Sequence, residues 1–172
     1  MPRIIAIILE LTVSLVVLWL LTFIATFLHE LGHAVGYMLA TGDKDWHIRV
    51  GWGKRILHTK RLTVNLLVFD GVFIPSEAKL DTRKKLITIL AGGPAVSLLL
   101  AAGLLVLRFS GLSFQSAIFA DGAVEWFLNF AFFTNLLILI TSLIPGHYLW
   151  GKIKGLESDG LQIIRALKKH ED

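Results

Sequence analysis

The sequence predicts an α-helical integral membrane protein with about three transmembrane helices and a small β-sheet inserted between the first and the second. Three observations carry that expectation. Residues 4–28 hold one charge, Glu10, whereas 86–107 and 126–146 hold none, and each window reaches the roughly 20 apolar residues that a spanning helix needs. Between the first two windows the chain becomes basic and alternates apolar with polar residues, as a strand does. The composition agrees: 55% hydrophobic and 17% charged residues, against about 45–50% and about 25% in soluble domains. That balance disfavours disorder, and nucleic-acid binding as a primary role. The absence of cysteine excludes disulfide and thiol chemistry.

Residues 4 to about 40 read as one long helix, stopped at Thr41-Gly42. The run is too long for a secretory signal core and continues without Gly or Pro into His29-Glu30-Leu31-Gly32-His33, so it is expected to be retained. Residues 44–75 form the β insert. Ile48, Val50 and Trp52 alternate with His47 and Arg49, Leu62, Val64 and Leu66 alternate with Thr63 and Asn65, and Asp70-Gly71 is a hairpin signal. Lys79, Asp81, Arg83, Lys84 and Lys85 lead into the second span, 86–107, where small residues such as Gly92, Gly93 and Ala101 permit close helix approach. The stretch 109–122 has no Lys or Arg and reads as interfacial. The third span, 126–146, ends at Pro145-Gly146. In the tail, 147–172, Leu161, Ile164 and Leu167 against Arg165 and Lys168 suggest a short amphipathic helix. All of this reads as one domain over residues 1–172.

Lysine and arginine set the orientation. Of 17, ten lie in 41–85 (Lys44, Arg49, Lys54, Arg55, Lys60, Arg61, Lys79, Arg83, Lys84, Lys85) and five in the tail (Lys152, Lys154, Arg165, Lys168, Lys169). Three spans put both segments on one side, and the positive-inside tendency makes that side cytoplasmic. The net charge of +4 therefore reads as topology.

His29-Glu30-Leu31-Gly32-His33 is an HExxH motif. Residues four apart share a helix face, so both imidazoles can ligate one Zn²⁺ while Glu30 reaches a water as general base. Six His and six Glu in 172 positions would give the pattern by chance about 0.007 times, which sets its false-positive risk. Catalytic zinc takes a third protein ligand. His147, Glu157 and Asp159 past the third span, and His47, His58 and Asp70 in the insert, are candidates. Topology favours the former group and leaves His147 and Asp159 equal.

Further residues fit a family. Gly93 and Ser97 stand at the ends of a GxxxS segment in Ala91–Ser97. Asn135 through Ser142-Leu143-Ile144-Pro145 is similar to a run ending in NxxP, with Ser142 in place of the asparagine. Ser158-Asp159-Gly160 matches a DG element, and Val50-Gly51-Trp52-Gly53 a glycine-aromatic-glycine stretch. With HELGH, these make the chain resemble the site-2 protease family of intramembrane zinc metalloproteases (peptidase family M50), especially its small prokaryotic branch lacking a PDZ domain. The resemblance covers about residues 20–167. It implies one Zn²⁺ held by His29, His33 and Asp159, Glu30 as catalytic base, a membrane-associated sheet, and a prokaryotic multi-pass protein of the cell membrane.

The expected function is that of a zinc endopeptidase cutting a peptide bond in or near a transmembrane segment of a membrane protein substrate, with the lipid bilayer as surroundings. Asn129 and Asn135 read as interhelical hydrogen-bonders, and Asn135 is also a candidate for contact with the substrate carbonyl. Gly32 and Gly36 read as a packing motif. The five tryptophans read as interfacial, and His47, His58 and His170 as solvated. The alternative is a non-proteolytic membrane partner or chaperone with a structural metal site; a metal-handling protein would have no use for Glu30.

Overall fold

With no proline after Pro2 and no glycine before Gly32, the first apolar run has nothing to interrupt its backbone ladder. In the computed structural model, which describes residues 2–76, 82–110, 122–149 and 151–168, it forms one helix, α1 (Pro2–Thr41). The strands β1 (Trp46–His58) and β2 (Leu62–Pro75) follow, then α2 (Arg83–Phe109), α3 (Ala123–Leu143), a 3₁₀ turn at Gly151–Ile153 and α4 (Asp159–Lys168). Helices α1, α2 and α3 are long and apolar enough to cross a membrane. The expectations at Lys79, Asp81, most of 109–122, Trp150, Lys169 and His170 lie outside the described residues.

Two faces of α1 do different work. Trp19, Phe23, Phe27 and Leu31 recur every four residues and so share one stripe. The sheet packs on that stripe through Ile48, Val50 and Val68, which with Ala34 form the buried core. The Trp19 indole donates to the Leu66 carbonyl at 2.6 Å. Since Trp19 lies about 21 Å along α1 from His33 at ~1.5 Å per residue, the sheet accompanies the helix deep into its apolar length. The second face carries Gly32 and Gly36. A methyl on Gly32 would strike the Gly92 carbonyl and one on Gly36 the Thr88 carbonyl, so these glycines let α1 and α2 cross backbone to backbone. The packing role expected of the GxxxG is the one observed.

The sheet is antiparallel and consists of β1 and β2. Its N-terminal half of β1 pairs with the end of β2, from Trp46 with Pro75 to Val50 with Gly71. Ile48–Val50 also have partners in Leu62–Val64, so they are interior, whereas Gly71–Pro75 pair on one side only. Beyond Val50, β1 bends at Gly51 and Gly53, with φ of 75° and 87°. The buried Asn65 clamps the bend by donating to the Gly51 carbonyl at 2.9 Å.

The hairpin expected at Asp70-Gly71 is corrected: both residues lie inside β2, and the chain reverses between His58 and Leu62. There Thr59 N–H donates to the Leu62 carbonyl at 2.8 Å and Leu62 N–H to Thr59 Oγ1 at 3.0 Å, which closes the turn without glycine. His58 is exposed and His47 half-exposed, as expected, and each also lies 2.9 Å from Thr63 Oγ1.

Asn129 accepts a hydrogen bond from Arg108, joining α3 to α2 as expected. Helix α3 ends at Leu143, and Ile144 is already extended because the residue before a proline is pushed out of the helical region. The segment 146–158 then doubles back: Ser158 N–H donates to the Gly146 carbonyl and Tyr148 N–H to the Leu156 carbonyl, both at 2.9 Å. The amphipathic tail helix expected from its apolar spacing is α4.

Candidate metal centre

The i, i+4 spacing places His29 and His33 on one face of α1, both buried, with Nε2 atoms 3.3 Å apart. Their other nitrogens are engaged. His33 Nδ1 donates to the Ile89 carbonyl at 2.8 Å, and a carbonyl can only accept, so it is on Nε2 that the neutral ring, the form a metal takes, carries its lone pair. His29 Nδ1 lies 2.9 Å from Ser97 Oγ, and Ser97 is fully buried on α2. Such outer partners orient metal-binding imidazoles. Both come from α2, whose close approach at Gly93 makes them possible. A methyl there would meet the Nε2 atoms of both histidines.

The third group arrives from the far end of the chain. Asp159 Oδ2 lies 3.6 Å from His29 Nε2 and 3.4 Å from His33 Nε2. The three residues form a group that could hold a metal ion. His147, the equal candidate from topology, is exposed and faces Glu157, with Nε2 3.9 Å from its Oε1. Glu157 also pairs with Arg165.

The Ser158-Asp159-Gly160 run explains how Asp159 is delivered. Ser158 caps α4, accepting from Leu161 N–H at 3.3 Å, and donates to the Ile144 carbonyl at 2.8 Å. A methyl on Gly160 would collide with the Leu143 carbonyl, so only glycine lets α4 begin against the end of α3. Asp159 is thus in the first turn, where the helix dipole favours a carboxylate. Burial opposes its ionisation, but hydrogen bonds and charge from His29 and His33 outweigh burial and hold its carboxyl below the usual range.

Glu30 is buried beside the first histidine. Its carboxylate accepts the Phe73 backbone N–H and lies against Gly71, where an added methyl would come within 2.5 Å of Oε1. The general-base candidate therefore touches the one-sided end of β2. A cavity of about 420 Å³ opens here, bordered by His29, Glu30 and His33, by Gly71–Phe73 and Pro75, and by Tyr148, Ile153, Leu156 and Asp159.

Asn135 is not brought to this cavity. It is buried in α3, its Nδ2 donates to the Ala131 carbonyl at 2.8 Å, and its Oδ1 has no hydrogen-bond partner among the described residues. Ser142, where the NxxP asparagine would stand, donates to the Leu139 carbonyl of its own helix at 3.1 Å.

Asp70 has a role that its sequence context concealed. It is buried, lies 3.4 Å from Arg49 Nη1, and accepts the Lys152 N–H at 3.0 Å. Gly151, at φ 73°, presses its backbone onto the same carboxylate. Asp70 therefore straps the sheet to the segment that carries Asp159, without being a ligand itself. Asp70→Ala is expected to weaken metal binding about 10–100-fold, the size of effect that lost outer partners have on metal sites. Asp70→Asn keeps an acceptor for Lys152 N–H and should lose less; titration against a chromophoric chelator measures both.

Comparison with protein-family models, with curated proteins and with solved structures found no match.

Proposed function

We propose that the chain is an intramembrane zinc endopeptidase of the site-2 protease type, hydrolysing a peptide bond in or near a transmembrane segment of a membrane protein. The observation that carries this reading is the Glu30 carboxylate, which joins the His29–His33–Asp159 group to the one-sided strand end in a single cavity. The donor set suits zinc: bonds of about 2.0–2.1 Å in a tetrahedron put ligand atoms about 3.3–3.4 Å apart, and the three separations here are 3.3, 3.4 and 3.6 Å. Two imidazoles and one carboxylate at the border of a cavity are the donor set of a catalytic rather than a closed structural zinc site.

A Zn²⁺ held there supplies Lewis acidity toward the scissile carbonyl and lowers the pKa of water toward about 7. The chain's own groups do the rest. A substrate helix hides its carbonyls in its own hydrogen bonds and has to unwind. Gly71–Pro75, with a strand partner on one side only among the described residues and its Phe73 N–H held by Glu30, then offers an edge to the extended segment. Glu30 takes the proton of the attacking water and returns it to the leaving amine nitrogen. Ser97 and the Ile89 carbonyl keep the imidazoles oriented. The three apolar helices embed the site in the cell membrane as a multi-pass protein, with 41–85 and the tail on the cytoplasmic side by charge.

Co-expression with candidate single-span membrane proteins tests this. Glu30→Gln should retain metal and lose cleavage by at least about 10²-fold, the lower range for general acid–base groups. Cleavage equal to wild type would sink the mechanism. A chaperone with a structural metal would keep its cellular activity in that variant.

A further inference from the structure

The cavity contains a hydroxyl donor that the reaction above does not use. His29 and His33 commit Nδ1 to Ser97 and to the Ile89 carbonyl, and Gln162 commits one of its two amide protons to the Glu157 carbonyl at 3.0 Å. That hydroxyl belongs to Tyr148. It borders the cavity and has no hydrogen-bond partner among the described residues. The aromatic ring is half-buried and lines the same cavity as Asp159 and Glu30. Burial, reinforced by those two carboxylates, raises its pKa and keeps the proton on the oxygen at neutral pH.

Tyr148 is also held firmly. Its N–H donates to the Leu156 carbonyl at 2.9 Å and its carbonyl accepts from Gly155 N–H at 2.8 Å, so its backbone is locked into the reversed segment that delivers Asp159. Gly155 sits at φ 85°, a left-handed conformation that glycine adopts without the steric cost of a Cβ. The phenol and the strand end Gly71–Pro75 border the same cavity as Glu30 and Asp159, so a peptide extended along that strand end passes through the space the phenol borders.

Resting on the peptidase reading, we propose that Tyr148 is a catalytic residue that donates a hydrogen bond to the scissile carbonyl oxygen as negative charge develops on it. A pre-placed donor of this kind acts on the transition state far more than on the bound peptide. It leaves the proton on the phenol, so Glu30 remains the group that moves protons.

The test compares wild type, Tyr148→Phe and Glu30→Gln, each full length and zinc-loaded in liposomes. The readouts are zinc content, cleavage of a transmembrane-segment peptide that wild type cuts, and affinity for that peptide's phosphinate analogue, which mimics the tetrahedral oxyanion. Tyr148→Phe is expected to keep its zinc and its KM, to lose about 10²-fold in kcat, and to bind the phosphinate weaker by a similar factor. Wild-type kcat and phosphinate affinity in Tyr148→Phe, with Glu30→Gln inactive, would overturn the role of Tyr148 and leave the peptidase reading standing. Loss of zinc from Tyr148→Phe would overturn it too, by assigning the ring a structural task. Cleavage by Glu30→Gln at the wild-type rate would overturn the peptidase reading itself.

Discussion

Gly93→Ala is expected to abolish metal binding while leaving the helices assembled. The reason is which atoms the new methyl meets. Its position lies within 2.7 Å of His29 Nε2 and 2.6 Å of His33 Cε1, and closer still to His33 Nε2. These are the tips of side chains that can swing aside, so the helix crossing survives; but the tips carry the Nε2 atoms of the candidate metal group, so the triangle they form with Asp159 does not. Gly92→Ala differs in kind, since its methyl would strike the Gly32 carbonyl and come within 3.2 Å of His33 N. Backbone cannot swing aside, and that variant should fail to assemble. Gly103→Ala, with nothing within 4 Å of the added methyl, is the neutral control. Zinc stoichiometry after dialysis, alongside circular dichroism, separates the three. Full zinc content in Gly93→Ala would mean that α2 does not pack on the histidines this closely.

The same contrast explains what could be read from the sequence. HExxH was legible because its geometry is local: four residues along a helix is one face, whatever the rest of the chain does. The three apolar helices and the strand alternation were legible for the same reason. The third member of the group was not, because 126 residues separate His33 from Asp159, and spacing alone left His147 level with it. Only the resemblance chose Asp159. The error at Asp70-Gly71 is also instructive. That dipeptide favours a tight turn locally, but here Asp70 is held by Arg49 and the Lys152 amide, and Gly71 gives room to Glu30. Tertiary demands for a buried acceptor and a missing side chain produced the same two letters. The real reversal, at Thr59–Arg61, uses a threonine side chain in place of glycine and so carries a weak signal. Ser97 meets His29 from 68 residues away, and Tyr148 borders the same cavity from further still; nothing in their neighbours announces this.

Asp159→Asn is expected to cost more metal affinity than the loss of any outer partner, beyond the about 10–100-fold set by those. Asparagine keeps the shape and an oxygen lone pair, but it removes the only negative charge among the three groups of the candidate site. A divalent ion would then sit in a buried pocket with two neutral imidazoles and a neutral amide, and an ion stripped of water needs charge as well as lone pairs. His147→Ala should leave zinc content unchanged, because that ring faces Glu157 rather than the histidine pair. The metal-free protein gives an independent check on Asp159. Its carboxyl titrates below the usual range in the folded chain, so the stabilisation is complete above the ordinary aspartate value of about 3.9 and disappears as pH falls through the lowered one. Wild type and Asp159→Asn should therefore differ in thermal stability at neutral pH and converge in strong acid. If His147→Ala loses zinc and Asp159→Asn retains it, the segment 146–158 approaches the histidines with its other face.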